Sequence, residues 1–389
     1  MTVHGDIVMT KAGDVAPRMA AIADEVAGPA AADVDERGRF PSETLAALKA
    51  EGLLAALVPV ELGGGGASLA EVSQGLVALG RRCASSAMVV AMHHIQVACL
   101  VRHGRNDLLR RYLEELAEHQ YLLASATTEV GTGGDVRSSI CALEVSGGRF
   151  RVEKQAPVIS YADDADAVLV TARRTADSPD SDQVIVLCRP PGLELEQVGE
   201  WNALGFRGTC STGFVLRATG DADSVLDEPY GDISTQTMLP TAHLLWSSVW
   251  LGIASDAVEL ARKYVQGEAR RKPGTAPPAA LRLAEVTVVH QQFTDMVQSS
   301  LARYEAADAD RLSSIGFGVG MNALKVSAST LVVDIVRECM LICGLASYRL
   351  DTPYSLGRHL RDSMGAALMV NNDRIMANNA QMLLVLRGE

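Results

Sequence analysis

The sequence predicts a mainly α protein with a central β-domain, in the order N-terminal helical domain, middle antiparallel β-barrel or sheet, C-terminal four-helix bundle. Three observations predict it. Apolar residues recur at helical spacing through the first 120 residues, short β-rich runs broken by turns follow, and long apolar helical stretches return after about residue 235. The expected domains are 1–120, 121–232 and 233–389. A chain of 389 residues with 48% apolar and only 4% aromatic residues builds such a core from Ala, Leu and Val, which suits close-packed helices.

In the first part the helical period runs through residues 15–26, 45–57, 69–79 and 84–101. Pro41-Ser42-Glu43 makes a helix start, and the run Gly63-Gly64-Gly65-Gly66 cannot lie inside a helix. That run follows Val58-Pro59-Val60 and lacks the Lys-Ser/Thr ending of a phosphate loop, so it reads as a turn. Strands are expected at 158–161, 167–171, 184–187 and 213–216, separated by turns such as Ser146-Gly147-Gly148. In the last part, residues 244–265 are apolar around most of the helix and carry Trp246 and Trp250, as befits a helix inside a bundle or interface. The proline-rich stretch 270–278 is a loop. Helices are expected to follow at 280–306, at 312–343 with an irregularity at Gly316–Gly320, and at 360–386.

A formal net charge of −12 excludes a basic footprint for nucleic acid and disfavours an anionic membrane surface. No stretch of about 20 apolar residues runs free of charges and turn signals, so no membrane span is expected. Seven cysteines lack metal-ligand spacing, and Cys339 and Cys343 read as small core residues; with no signal peptide the expectation is a reducing cytoplasm and no metal.

The segment most able to carry chemistry is Ala126-Thr127-Thr128-Glu129-Val130-Gly131-Thr132-Gly133-Gly134-Asp135, at the change from helix to strand. Its small residues let backbone N–H groups approach a ligand closely. It resembles the Thr-Glu-Pro-x-x-Gly-Ser-Asp signature of the acyl-CoA dehydrogenase family, with Val130 for the Pro and Gly134 for the Ser. Val158-Ile159-Ser160-Tyr161 resembles that family's Trp-Ile-Thr-Asn strand, with Val158 in place of Trp. Gly205-Phe206-Arg207, Cys343-Gly344 and Arg361-Asp362 resemble later segments, and Val58–Gly64 an earlier one. Order and spacing together carry the likeness over nearly the whole chain.

The resemblance implies an acyl-CoA dehydrogenase-like fold, bound FAD, and a homotetramer or dimer. It implies flavin contacts at Thr127, Thr128, Gly133, Gly134, Ser160, Arg270, Arg271 and Asn372, with the Ser160 hydroxyl donating to flavin N5 and an Arg of the 270–271 pair reaching pyrophosphate across an interface. The expected activity is oxidation of the CH–CH group of an acyl thioester carried on CoA or a carrier protein.

One position departs. The family's catalytic Glu stands nine residues after the Arg of its Arg-Asp pair, and nine after Arg361 is Val370; the family's other location for the base falls on Ser248. The Val370 backbone N–H could still bind a thioester oxygen, while the nearest carboxylate, Asp373, doubles as a helix-start acid. Losing a general base typically costs about 10²–10⁴ in rate. The alternative reading is a flavin-dependent monooxygenase or N-hydroxylase of the same fold, which needs no such base and would use His93 or His94. A further alternative is a flavin-binding homologue without catalysis. His243 and His359 have no comparable context.

Overall fold

The computed structural model describes residues 14–133 and 135–386. The N-terminal part holds α1 (Val15–Ile22), α2 (Gly28–Arg37), α3 (Ser42–Ala50), α4 (Leu69–Arg82), α5 (Ala84–His103) and α6 (Asp107–His119). A capping box at Ser68 and Glu71 starts α4, and Asn106 caps α6. The glycine run at 63–66 is a turn, with Gly64 so close to the Val58 carbonyl that a Cβ would stand 2.2 Å from it.

The strands are β1 (Leu123–Ala126), β2 (Glu144–Ser146), β3 (Arg149–Ile159), β4 (Ala167–Arg173), β5 (Gln183–Cys188), β6 (Leu193–Val198) and β7 (Thr212–Asp221). They form two open sheets rather than a closed barrel: β1-β4-β5, and β2-β3-β7-β6. The second is antiparallel throughout, but β1 and β4 run parallel. The connection between them passes through β2 and β3 of the other sheet, which supplies the crossover a parallel pair needs. Strand β3 alternates exposed and buried residues along most of its length, whereas β4 and β5 are buried almost throughout.

The C-terminal part begins with α7 (Tyr230–Ile233), which passes through a π-turn into α8 (Leu239–Arg271). Then come α9 (Ala280–Glu305), α10 (Ala309–Leu312), α11 (Ile315–Cys343), α12 (Leu345–Tyr348), α13 (Gly357–Met364) and α14 (Asn372–Val385). Helix α8 is the central member, packed by α4, α5, α9 and α11, with Trp250 fully buried. Gly80 of α4 and Gly252 of α8 let those backbones touch: a Cβ on Gly252 would stand 2.5 Å from the Val77 carbonyl oxygen. The glycines at 316–320 do not interrupt α11. The last expected helix is instead two, α13 and α14, joined by a turn at 365–371.

By length and composition, α5 and the continuous run Tyr230–Arg271 could each cross a membrane. Their apolar windows are 83% and 78% buried inside the protein, as expected of core helices. No group of three metal-ligating side chains exists among the described residues.

Candidate active site

All three parts meet at a cavity of about 550 Å³, walled by α5, the ends of β1 and β3, the 201–211 segment, the start of α8, α13 and the 365–370 turn. Thr127, Thr128 and Ser160 stand on this wall. Thr128 Oγ1 donates to the Val158 carbonyl at 3.0 Å, tying the turn after β1 to the end of β3. Ser160 heads a chain of hydroxyls: Ser160 to Ser211 at 2.7 Å, Ser211 to Thr209 at 2.7 Å, and Thr209 onto the Phe206 carbonyl at 2.9 Å. Tyr161, Phe206 and Cys210 adopt left-handed backbone (φ 43°, 49° and 46°), conformations that cluster where a site is held in a set shape.

The rest of the wall is apolar and rich in methionine, with Met88, Met92, Met238, Met364 and Met369, beside Trp201 and Trp246. Two wall side chains hold buried polar atoms without a partner in the described structure, Gln96 Oε1 and Trp246 Nε1. An orphaned buried polar atom is costly, so each is a natural point for a ligand to bond. His243 also lines the cavity. Its Nδ1 donates to the Met321 carbonyl at 3.1 Å, and burial pulls its pKa down to about 3, so the ring is neutral with Nε2 left as an acceptor. Among the described residues Arg361 is the one charged residue on the wall, and its guanidinium is engaged by Asp35 and the Leu204 carbonyl.

No Asp or Glu lines the cavity among the described residues. Glu129, within the glycine-rich segment, faces away: its carboxylate accepts from Ser139 Oγ (2.8 Å), the Ile140 amide (3.1 Å) and the Cys141 amide (2.6 Å), with Lys154 Nζ at 3.5 Å. Asp362 lies behind the wall, accepting the Phe206 N–H at 2.6 Å, and burial pushes its pKa up to about 6.

The acyl-CoA dehydrogenase N-terminal domain matches residues 14–120 and the acyl-CoA dehydrogenase C-terminal domain matches residues 233–382. The chain belongs to the acyl-CoA dehydrogenase family. It is therefore a flavin-dependent oxidoreductase, and a cavity of this volume with hydroxyl donors and orphaned polar atoms fits an isoalloxazine ring. A probable FMNH2-dependent monooxygenase of Pseudomonas putida is 26% identical, over 86% of this chain and 88% of that one. Butyryl-CoA dehydrogenase of Megasphaera elsdenii superposes with a TM-score of 0.83 at 17% identity, covering 95% of this chain and 97% of the other. FMN-bound TdsC of Paenibacillus sp. A11-2 superposes with 0.79 at 20% identity, covering 96% and 98%.

Against the family's layout, Val370 lies on the cavity wall and Ser248 does not. Ser248 is fully buried against α4, bonded to Ser73 Oγ at 2.7 Å. Asp373 is exposed in the first turn of α14, where Asn371 caps the helix by accepting the Asp373 N–H at 2.7 Å. Asn372 turns from the cavity to accept from Lys325. Both ring nitrogens of His93 are spent on backbone: Nε2 on the Leu54 carbonyl at 2.7 Å and Nδ1 on the Leu123 amide at 3.0 Å. His94 is buried beside it, ring centroids 5.0 Å apart, and neither lines the cavity. Arg270 and Arg271 sit exposed at the end of α8, Arg271 paired with Glu268 at 2.5 Å. Gly133 is in the exposed turn, where its carbonyl accepts from Arg374 at 2.6 Å, and Gly134 lies outside the described residues.

Sequence reasoning missed Gln96, His243 and Trp246. A helical period of 88, 92 and 96 would have placed Gln96 on one face with Met88 and Met92, and His243 and Trp246 share a face of α8. The period gives the face, but not which face meets a cavity.

Proposed function

We propose that this chain is a flavin-dependent monooxygenase that acts with reduced flavin and O₂ on a compact, uncharged, largely apolar substrate. The absence of any carboxylate from the described cavity wall carries this reading, because α,β-desaturation requires a base there and oxygen transfer does not. Bound reduced flavin supplies two electrons to O₂, so that one oxygen atom enters the substrate and the other leaves as water.

The chain's own residues supply the rest. The chain Ser160–Ser211–Thr209 ends on a carbonyl, so each hydroxyl donates to the next and Ser160 presents its lone pairs to the cavity, an acceptor for a ring nitrogen that carries its proton. Neutral His243 offers an acceptor, Trp246 a donor and Gln96 an acceptor within a largely apolar wall. Among the described residues the wall has no free cation for a substrate's phosphate or carboxylate, and its methionines are adaptable packing for an apolar body.

For the cofactor, FMN suits this chain better than the FAD expected from the family resemblance. The relative of Pseudomonas putida that depends on FMNH2 supports that choice. Assembly as a homo-oligomer is supported by exposed apolar side chains such as Leu345, Tyr348 and Leu350, each more than 70% exposed. Seven free thiols support a reducing compartment.

A second reading, acyl-thioester dehydrogenation, is favoured by one observation: the Val370 N–H donates to nothing among the described residues and is free to bind a thioester oxygen. Anaerobic mixing separates the two. Flavin-loaded protein should keep its oxidised spectrum with a panel of acyl-CoA esters, and should incorporate one atom of ¹⁸O₂ into a neutral aromatic or thioether probe when reduced FMN is supplied. Bleaching by a thioester in the absence of oxygen would overturn the monooxygenase reading.

A further inference from the structure

Lys325, at the middle of α11, is fully buried, and no carboxylate lies within ion-pair distance of it among the described residues. Its ammonium donates to Asn372 Oδ1 at 2.7 Å and to the Val370 carbonyl at 3.2 Å, and it stands 5.9 Å from the centre of the Trp250 ring. Ser329, one turn further along α11, bonds Asn372 from the same side. Val370 has φ 44°, a left-handed backbone that a β-branched residue adopts only when its surroundings impose it. Its side chain lines the cavity and its amide is unpartnered. A buried cation and a strained peptide are thus joined at the position where the family carries its acid.

We infer that Lys325 is a positioning residue: its buried ammonium holds the Val370 peptide in the left-handed conformation and so sets the cavity wall against which the flavin and substrate pack. Desolvation is the cost of this device. Burial pulls the lysine's pKa down to about 8, and it remains charged at neutral pH because two oxygens and an aromatic face receive it. Any buried ammonium needs acceptors; here one of them is the carbonyl of a β-branched residue at positive φ, which packing alone would not require. The inference depends on the cavity holding flavin, and not on which oxidation follows.

A mutant cycle on the full chain tests it, with two readouts: hydrogen exchange of the 366–372 peptide, and FMN affinity by fluorescence quenching. Lys325→Gln should speed exchange of that peptide and weaken FMN binding by about tenfold, without a comparable change in exchange elsewhere. Glycine has no Cβ penalty at positive φ, so in a Val370→Gly background, whose own loss of a wall side chain sets the reference affinity, Lys325→Gln should cost little further, since glycine needs no clamp to hold that backbone. Losses that simply add in the double variant, or unchanged exchange in Lys325→Gln, would overturn the inference. Should Lys325→Gln not fold, Asn372→Leu removes the ammonium's nearer acceptor and enters the same cycle with the same two outcomes. If wild type binds neither FMN nor FAD, the flavin reading fails while the exchange measurement still judges the clamp.

Discussion

Glu129 shows how a residue in a ligand-binding segment can serve structure alone. Three donors and Lys154 close around its carboxylate, so Glu129→Gln removes a buried charge partner and should cost about 3 kcal/mol in urea denaturation, with FMN affinity falling as the Thr128 turn loosens. The buried titratable groups give a pH dependence with a definite sign. His93 is pulled down to about 4 and His243 to about 3 by burial, so the unfolded chain binds more protons than the folded one below its ordinary histidine pKa of 6.5. Their effect is absent above that value and destabilises progressively as pH falls toward the folded values. Asp362 acts oppositely: its folded pKa of about 6 lies above the ordinary carboxylate value of 3.8, so its stabilising effect is present below 3.8 and is lost as pH rises through 6. Asp362→Asn, whose side-chain oxygen still accepts the Phe206 N–H, should therefore raise the urea midpoint at pH 7.5 and steepen the loss between pH 6 and 4. His93→Gln keeps one donor and one acceptor without titrating, and should flatten the same profile. Parallel profiles for wild type and both variants would contradict these assignments.

Helix α8 carries the element-scale argument. Its first turns present His243 and Trp246 to the cavity, and its middle is held against α4 by Gly252 and Gly80. Gly252→Val forces a side chain into the Val77 carbonyl and must push the helices apart. The expected loss is about 1–3 kcal/mol in stability, with weaker flavin binding because the wall moves with α8. A thermal melt with and without FMN measures both; an unchanged Tm would show that the interface relaxes freely. The turn between α13 and α14 matters for the opposite reason, since the backbone leaves the helical path there and delivers Val370 to the wall.

At the scale of the whole molecule, the cavity belongs to no single part. α5, the two sheets, the start of α8 and the 365–370 turn each give one side, so the flavin site exists only in the assembled chain. Val370→Glu is the informative substitution here. It puts a carboxylate on a wall that has none, where the buried Lys325 ammonium holds the same residue's carbonyl. The expected outcome is slower oxygen transfer together with measurable bleaching by acyl-CoA in the absence of oxygen; no bleaching would mean that the cavity does not admit thioesters.

Sequence period and turn chemistry were sufficient for the helix–sheet–helix order, because amphipathic spacing and glycine or proline breaks are local properties. They found α1, α3, α4, α5, α8, α9 and α11 and left out α2 and the amphipathic α6. They missed most of β3, whose alternation through Arg149-Phe150-Arg151-Val152-Glu153 is interrupted by the buried Lys154, and they joined α13 to α14 across a turn with no glycine at its positive φ. Motif register brought Thr127, Thr128, Ser160 and Val370 to one cavity, since they stand in the turns directly after β1 and β3 and before α14, whose spacing the family preserves. Only the tertiary structure decided which histidine meets the cavity, that Asp373 stands exposed away from it, and that Lys325 grips Val370. Those facts depend on which face of one helix packs against another distant in the chain, and side-chain spacing within a segment carries no information about its distant neighbours.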